Sequence, residues 1–299
     1  MIASRVLSII HNPIVDRRQG AKLSQALGWN DPDALAGDYI RDVRDASHGT
    51  VDYQIVERIE VDGFPLKADG FRYDVDTYLR CWRSRRGFHQ PDAVDYLALI
   101  REFDVIARVE SNQIDEVWLF GFPYAGYYES TMGGHGAFWC NSPPVAGTEG
   151  CRRRFVIMGF NTERDVGCML EDLGHRAESI LSKVYEGRRG DRNPWEHFSR
   201  YDTLRVAPGR ASVGNMHFAP NSERDYDWGN PRSVLSDCDD WLNFPDLRGT
   251  QRQVNCRDWG NGDMRRHHLW WFERVPHAEG ETGGIQHNWW TCIIDPNTV

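Results

Sequence analysis

Apolar residues in the first 185 positions follow two periodicities, which predicts strands separated by helices. Short runs with strand character are Val6–Ile10, Val51–Val61, Glu116–Phe120 and Phe155–Phe160. Helical spacing of apolar residues occurs at Asp33–Ala46, Asp92–Val109 and residues 164–184. Strands that alternate with helices are typical of a parallel sheet covered by helices. The sequence therefore predicts an α/β fold, with a mostly parallel sheet and flanking helices in about the first 185 residues.

The pattern changes after about residue 185, where Pro, Gly, Asn and Asp become frequent and helical periodicity is lost. One β-hairpin is predicted there, with strands Val254–Trp259 and Met264–Phe272 around Gly260–Asp263, because Asn-Gly is a strong hairpin-turn signal. We expect residues 186–299 to form an irregular, Trp-rich cap with some β-hairpin. The cap is expected to pack on the α/β layer of residues 1–185 as one compact unit, with a cleft between the two parts.

The charge and hydropathy of the chain exclude several classes of partner. A formal net charge of −9 argues against a nucleic-acid partner, because phosphate binding needs concentrated positive charge. The chain has no run of 18 apolar residues, so no membrane-spanning segment is expected. The first residues lack the pattern of a signal peptide. We therefore expect a cytoplasmic protein that neither enters membranes nor binds nucleic acid.

Seven cysteines occur without any Cys-x-x-Cys pair, which argues against zinc-ribbon and thioredoxin-like sites. Free thiols are expected in the cytoplasm. The alternative is an exported protein whose leader has been removed, in which Cys238 and Cys256 form a disulfide.

Twelve tryptophans are an unusual feature of the composition. Several lie in polar, Gly- and Asn-rich surroundings: Trp228, Trp241, Trp259, Trp289 and Trp290. One interpretation is that these large rings form the core of a loop-rich segment. The other is a cleft in which tryptophan faces stack on sugar rings or other flat ligands.

The predicted helix at residues 164–184 carries the strongest candidate for chemistry. Its polar face aligns Glu171, His175 and Glu178, and residues three or four apart are neighbours on a helix. His175 and Glu178 are predicted to bind a metal ion with His217, since catalytic zinc commonly has three protein ligands and one open position. Glu171 is a third ligand, a partner of the ligands or a catalytic group. The alternatives are a buried hydrogen-bond network and an ordinary solvent-exposed face.

Ligands of open α/β sheets bind beyond the carboxyl ends of the strands, which draws attention to the long segment Gly121–Pro144. A segment of this length without a predicted helix or strand is usually functional or disordered, and this one is too apolar for disorder. Glu129 is its best acid–base candidate, because aromatic neighbours would desolvate the carboxylate and favour the protonated form. Residues predicted to contact substrate are Tyr124, Tyr127 and Trp139 here, and Asp225, Asp227 and Trp228 in the C-terminal half.

Four histidines near the C-terminus form a further candidate site: His267, His268, His277 and His287. They lie close in sequence to several tryptophans, and aromatic packing is the preferred interpretation. On a predicted strand, consecutive His267 and His268 would face opposite sides, so at most one would join His277.

These observations favour a hydrolase that uses a bound metal, zinc or another divalent ion, on a polar, ring-containing substrate such as a glycan. One alternative is a metal-independent glycosidase that pairs Glu129 with Asp225 or Asp227. Another is a glycan-binding protein without catalysis. No nucleotide cofactor is expected, because the chain has no dinucleotide-binding glycine motif and no P-loop. The serine-hydrolase elbow and the HExxH motif are also missing.

Overall fold

A computed structural model describes residues 1–203 and 209–299, and these form two compact units. The sheet unit comprises Ser4–Asp38 and Tyr53–Asp165. The C-terminal unit comprises Met1–Ala3, Tyr39–Asp52 and Val166–Val299. The predicted domain division at residue 185, and the cleft expected there, stay predictions.

Eleven strands and nine helices are found in the described residues, together with short 3₁₀ helices at 190–192, 238–243, 256–259 and 296–298. The strands are β1 (Ile2–His11), β2 (Ile14–Asp16), β3 (Ala21–Lys22), β4 (Val51–Val61), β5 (Glu116–Gly121), β6 (Ser130–Gly133), β7 (Phe155–Asn161), β8 (Val234–Ser236), β9 (Arg252–Val254), β10 (His277–Thr282) and β11 (Ile285–Asn288). The helices are α1 (Leu23–Leu27), α2 (Pro32–Ala46), α3 (Val75–Ser84), α4 (Tyr96–Glu102), α5 (Val105–Glu110), α6 (Val166–Val184), α7 (Pro194–Phe198), α8 (Met264–Phe272) and α9 (Trp289–Ile294).

The main sheet has five strands in the order β4-β1-β5-β7-β6. Strands β1, β5 and β7 are parallel, with Ile9 beside Leu119 and Leu119 beside Gly159, whereas β6 runs antiparallel to β7. Every residue of β5 is buried, as expected for a central strand that is covered on both faces. The predicted α/β class with a mostly parallel sheet is confirmed.

Helices α4 and α5 cover part of this sheet. Their apolar residues Leu99, Ile100 and Val105 pack in one core with Ile9 of β1 and Leu119 of β5. The sequence predicts one helix over Asp92–Val109. This prediction is wrong in detail, because the helical conformation is interrupted between α4 and α5. Asp104 adopts a left-handed backbone conformation with φ of 51°, which ends one helix and starts the next.

The segment Gly121–Pro144, predicted to lack regular structure, contains strand β6. Residues Ser130–Gly133 are fully buried and pair with β7, for example Thr131 beside Ile157. The run Ser-Thr-Met-Gly is too short and too small to stand out as a strand by its apolar pattern. The extended conformation of Ser130–Gly133 is therefore set by its hydrogen bonds to the edge of β7 that faces away from β5.

The hairpin predicted for Val254–Phe272 is wrong. Residues Cys256–Trp259 form a 3₁₀ helix, and Met264–Phe272 form helix α8. Gly260 and Asn261 do adopt positive φ angles, of 98° and 58°, but these end the first helix instead of turning a hairpin. The Asp263 side chain accepts a hydrogen bond from the Arg266 amide and caps α8, as Asp commonly does.

Hairpins do occur elsewhere in the C-terminal unit. Strands β8 and β9 are antiparallel, as are β10 and β11. The predicted irregular, Trp-rich C-terminal region with some β-hairpin is thus confirmed, although its hairpins lie at other positions.

Aromatic side chains build the core of the C-terminal unit. The ring of Phe198 lies 5.1 Å from Trp241, 5.2 Å from Trp271 and 5.4 Å from Trp289, measured between centroids. The five tryptophans found in polar sequence surroundings are all buried: Trp228, Trp241, Trp259, Trp289 and Trp290. Their large rings therefore fill the interior of a loop-rich segment, and the interpretation of these five as an open stacking surface is wrong.

All seven cysteines are free thiols, and Cys238 and Cys256 form no disulfide. Within residues 1–203 and 209–299, no helix combines the length and the apolar character needed to cross a bilayer.

Candidate metal centre

Helix α6 supplies two of the three side chains of the candidate site. Its predicted apolar face is confirmed by the burial of Leu170, Leu173, Ala177, Ile180 and Leu181. The opposite face carries Glu171, which is buried, with His175 and Glu178, which are partly buried. The polar face therefore lies under other residues of the unit, and its charged groups need partners.

The third side chain, His217, comes from a tight turn at Asn215–Phe218. The Asn215 side-chain oxygen accepts hydrogen bonds from the amides of His217 and Phe218. Gly174 of α6 lets this turn approach the helix, because a Cβ atom there would lie 1.9 Å from Sδ of Met216. The glycine thus places His217 beside the polar face of α6.

Glu171, His175 and His217 bring one ligand atom each to a common point. The Nε2 atom of His217 lies 3.0 Å from Nε2 of His175 and 3.2 Å from Oε1 of Glu171. The same Glu171 oxygen lies 4.0 Å from Nε2 of His175. Metal–nitrogen bonds of about 2.0–2.1 Å place the donor atoms of a tetrahedral site about 3.3 Å apart. The group therefore has the spacing needed to hold a metal ion.

Carboxylates hold both imidazole rings from the side opposite this point. Glu178 lies 2.8 Å from Nδ1 of His175, and Asp225 lies 3.0 Å from Nδ1 of His217. An ionised carboxylate only accepts hydrogen bonds, so both Nδ1 atoms are assigned as donors. When the rings are neutral, both Nε2 atoms then carry a lone pair that is available to a metal ion. Carboxylate–histidine pairs of this kind are the usual supports of metal-binding histidines.

Glu178 contacts both His175, its predicted neighbour on the helix, and a backbone amide that the sequence analysis does not predict. Its Oε2 accepts from His175, and its Oε1 accepts a hydrogen bond of 2.9 Å from the amide of Met216. The carboxylate thus ties α6 to the turn that carries His217. The structure places Glu171, and not Glu178, with the converging atoms of His175 and His217.

The electrostatics of the group follow from these contacts. Burial raises the pKa of Glu171, but the bond to His217 and the positive potential of neighbouring histidines outweigh it, so the net pKa is lowered. The bond to Glu171 raises the pKa of His217 against the opposing effect of burial. Glu171 is therefore held as an anion next to two imidazoles.

Tyr226 is a member of the site that the sequence analysis does not assign to the metal. Its hydroxyl oxygen lies 3.1 Å from Nε2 of His217, and its ring lies 4.4 Å from the His217 ring between centroids. The carboxylates beside aromatic residues at Asp225–Trp228 are the sequence signal that points to this loop. Its geometry depends on a loop conformation that no periodicity indicates.

Of the C-terminal residues predicted to contact substrate, Asp225 binds His217 and Asp227 stabilises its own loop. Asp227 accepts hydrogen bonds from the Glu223 amide and the Asn230 side chain, and its pKa is lowered. Trp228 is buried, and its indole N–H donates to the carbonyl of Met216. Its ring therefore supports the turn of His217 from the interior.

A cavity of about 630 Å³ lies in the same unit beside Tyr226. Its wall is mainly polar: Glu223, Arg224, Tyr226, Asp227, Gly229, Asn230, Pro231 and Gly262. This volume is within the range of small-molecule sites. Since Tyr226 also contacts His217, one side chain joins the cavity wall to the ligand group.

The remaining predicted residues belong to the sheet unit. Glu129 is exposed and accepts a hydrogen bond from the Asn141 side chain, so the burial expected around its carboxylate is not found.

The aromatic residues of the segment Gly121–Pro144 that are predicted to contact substrate have different surroundings. Tyr124 is exposed and stacks on Phe88, whereas the Tyr127 hydroxyl lies 2.7 Å from Nδ1 of His11. Trp139 is 59% exposed, so its ring is accessible to solvent.

The C-terminal histidines lie on different elements and not on one strand. His267 and His268 are buried neighbours on α8, with Nδ1 atoms 3.2 Å apart. His277 stacks on His48, and His287 binds the Thr282 hydroxyl. Among the described residues they form no group with metal-binding spacing, which the Glu171, His175 and His217 cluster alone has.

Comparison with known proteins finds no relative of the chain. No protein-family model, no curated protein and no solved structure matches the chain. Its function must therefore be argued from the geometry of the Glu171–His175–His217 group.

Proposed function

We propose that the protein binds one divalent transition-metal ion through Glu171, His175 and His217 and uses it to hydrolyse a polar substrate. The convergence of two Nε2 atoms and one carboxylate oxygen, which lie 3.0, 3.2 and 4.0 Å apart, carries this proposal. Without a metal ion, a proton on Nε2 of His217 bonds this nitrogen to Glu171, and that bond raises the pKa of His217. A metal ion would take the place of this proton and bind all three atoms.

Zinc is the ion that this donor set fits best. Two histidines and one glutamate are the protein ligands of a well-known class of catalytic zinc site, which keeps a further position open for water. A bound zinc ion lowers the pKa of such a water to about 7 and so supplies a nucleophile at neutral pH.

The other residues of the site orient the ligands and shape access to them. Glu178 and Asp225 fix the ring orientation and tautomer of His175 and His217. The polar cavity beside Tyr226 offers charged and amide groups that suit a substrate rich in hydroxyl groups, such as a glycan or its derivative. Hydrolysis of such a substrate is the part of the proposal that rests on this cavity.

Elemental analysis tests the metal site directly. Purified, untagged protein is expected to contain about one zinc ion per chain after equilibration with zinc and removal of excess. His175→Ala and His217→Ala should each lose it. His287→Ala is the matched control, because His287 belongs to the same unit but makes its hydrogen bonds to Thr282 and the Glu279 carbonyl. Equal metal content in all four proteins would contradict the site.

Activity is tested with chromogenic nitrophenyl glycosides, esters and phosphates. Hydrolysis of one class is expected with the zinc-loaded protein and should disappear after chelation and return with zinc. Glu171→Gln should lose this turnover together with tight zinc binding. A protein that holds zinc tightly yet hydrolyses none of the three classes would limit the proposal to metal binding.

A further inference from the structure

The loop residues Asp225 and Tyr226 wrap around the imidazole of His217. Asp225 binds Nδ1 of the ring, and the Tyr226 hydroxyl lies at Nε2 on the other side. The Tyr226 amide also donates a hydrogen bond of 3.1 Å to the His217 carbonyl. Two consecutive residues thus contact the backbone and both ring nitrogens of one candidate ligand.

The backbone of Tyr226 is in an unusual conformation for this purpose. Its φ angle is 57°, in the left-handed region that bulky side chains rarely adopt. Such strain persists where surrounding contacts over-determine it, and it is concentrated at functional sites. Here the strained conformation is what directs the phenol ring toward His217 while its amide remains bonded to the His217 carbonyl.

We propose that the Tyr226 hydroxyl oxygen is the fourth donor to the metal ion, which rests on the proposed metal site. Its distance of 3.1 Å from Nε2 of His217 matches the spacing of the other donors around that atom. On coordination, the phenol proton passes to solvent, as for other acidic metal ligands.

This assignment gives Tyr226 a capping role. Tyr226 is 50% exposed and forms part of the wall of the 630 Å³ cavity. A substrate that enters from the cavity meets Tyr226 before the ion. A water or substrate hydroxyl would then replace the phenol oxygen at the fourth position, and the released phenolate would take up the proton of that incoming group.

Copper provides a readout of this ligand that is independent of activity. Apo protein titrated with Cu²⁺ is expected to develop a visible charge-transfer absorption of coordinated tyrosine that saturates at one ion per chain. Tyr226→Phe should bind one ion without this absorption, and its Zn²⁺ affinity should fall about tenfold or more, measured by competition with a chelating dye.

Tyr201→Phe is the matched control. Tyr201 stacks on Phe218 of the same turn, 4.6 Å between centroids, so its hydroxyl is lost close to the site but away from the contact with His217. The control should keep both the absorption and the Zn²⁺ affinity. Resonance Raman spectra of the wild-type copper protein test for tyrosine vibrations even if Tyr226→Phe fails to fold.

The outcomes separate the two proposals. If wild-type protein binds neither Zn²⁺ nor Cu²⁺, the metal site itself is wrong. If it binds one ion without tyrosine absorption, and Tyr226→Phe binds Zn²⁺ equally well, the site stands and the capping role of Tyr226 is overturned.

Discussion

His175 and His217 face each other with their Nε2 atoms 3.0 Å apart, and each ring is held by a carboxylate at Nδ1. This relationship joins a helix to a turn some forty residues later in the chain. Glu178 is central to it, because one oxygen binds His175 and the other binds the amide next to His217. Support of this kind has a measurable consequence for metal affinity.

We expect Glu178→Gln to weaken zinc binding about 10–100-fold without abolishing it, which is the usual effect of losing a partner of a metal ligand. The amide keeps one acceptor oxygen but loses the charge that orients His175. Competition with a chelating dye measures the affinity. Glu186→Gln, which removes an exposed partner of Lys183, should leave the affinity unchanged. Unaltered binding in Glu178→Gln would show that the bonds of Glu178 serve only the fold.

Gly174→Ala is expected to disturb the same arrangement through shape alone. The added Cβ would lie 1.9 Å from Sδ and 2.2 Å from Cγ of Met216. Forced overpacking of this type costs about 1–3 kcal/mol of unfolding free energy. Because the displaced Met216 precedes His217, zinc affinity should fall together with stability, as measured by urea unfolding and dye competition.

Gly37→Ala is the control for Gly174→Ala, since Gly37 also lies in a helix but a Cβ atom there would have no neighbouring atom within 4 Å. That substitution should raise stability by about 0.5–1 kcal/mol and leave zinc binding unchanged. If both alanine variants are equally stable, the close approach of Met216 to α6 is incorrect.

Several parts of the fold can be predicted because burial imposes a regular pattern on the sequence. The apolar pattern predicts strand β4 with its observed bounds, Val51–Val61, and α6 within two residues at its start. It fails for residues 254–272, because the positive φ angles that Asn-Gly permits serve a helix end as well as a hairpin. Local sequence does not distinguish these two uses.

The candidate site shows the same limit. Helical spacing indicates His175 and residue type indicates His217, and the structure brings the two together. Whether Glu171 or Glu178 lies with the two Nε2 atoms depends on how the turn of Met216 packs against α6. Residue spacing along the chain does not reveal this packing. The position of Tyr226 depends further on a left-handed loop residue. Contacts made by irregular segments therefore need the tertiary structure.

Acid is expected to remove a stabilising ion pair in the sheet unit. Partial burial raises the pKa of Asp115, but hydrogen bonds from Arg5 and Arg153, each 2.8 Å, outweigh it and lower the pKa from 3.8 to about 2. The pair stabilises the fold above pH 3.8, and this contribution is lost as the pH falls toward 2. The linkage amounts to about 2 kcal/mol.

Asp115→Asn isolates this effect from that of other acids. Its unfolding free energy should be lower than that of the wild type by about 2 kcal/mol at pH 7, and the gap should narrow between pH 4 and 2. Urea unfolding followed by circular dichroism at each pH gives the comparison. A gap that stays constant across this range would exclude the ion pair as its origin.

His11 should make the sheet unit sensitive to pH in a higher range. Burial and the positive potential of Arg72 lower the pKa of His11 from 6.5 to about 4. His11 therefore takes up a proton below pH 6.5 in the unfolded chain, whereas in the folded protein it does so only near pH 4. Because the unfolded state binds more protons, stability falls as the pH decreases through this window, by about 3 kcal/mol in total.

His11→Asn is expected to remove this slope, because asparagine does not titrate and retains an acceptor for the Tyr127 hydroxyl that lies 2.7 Å from Nδ1 of His11. The wild type and the variant are compared by urea unfolding between pH 7 and 4. His135→Asn, at an exposed position of the same unit, should keep the wild-type slope. If His11→Asn retains the full pH dependence, the folded protein protonates His11 without loss of stability. The Tyr127 hydroxyl must then accept a hydrogen bond from the charged His11 ring.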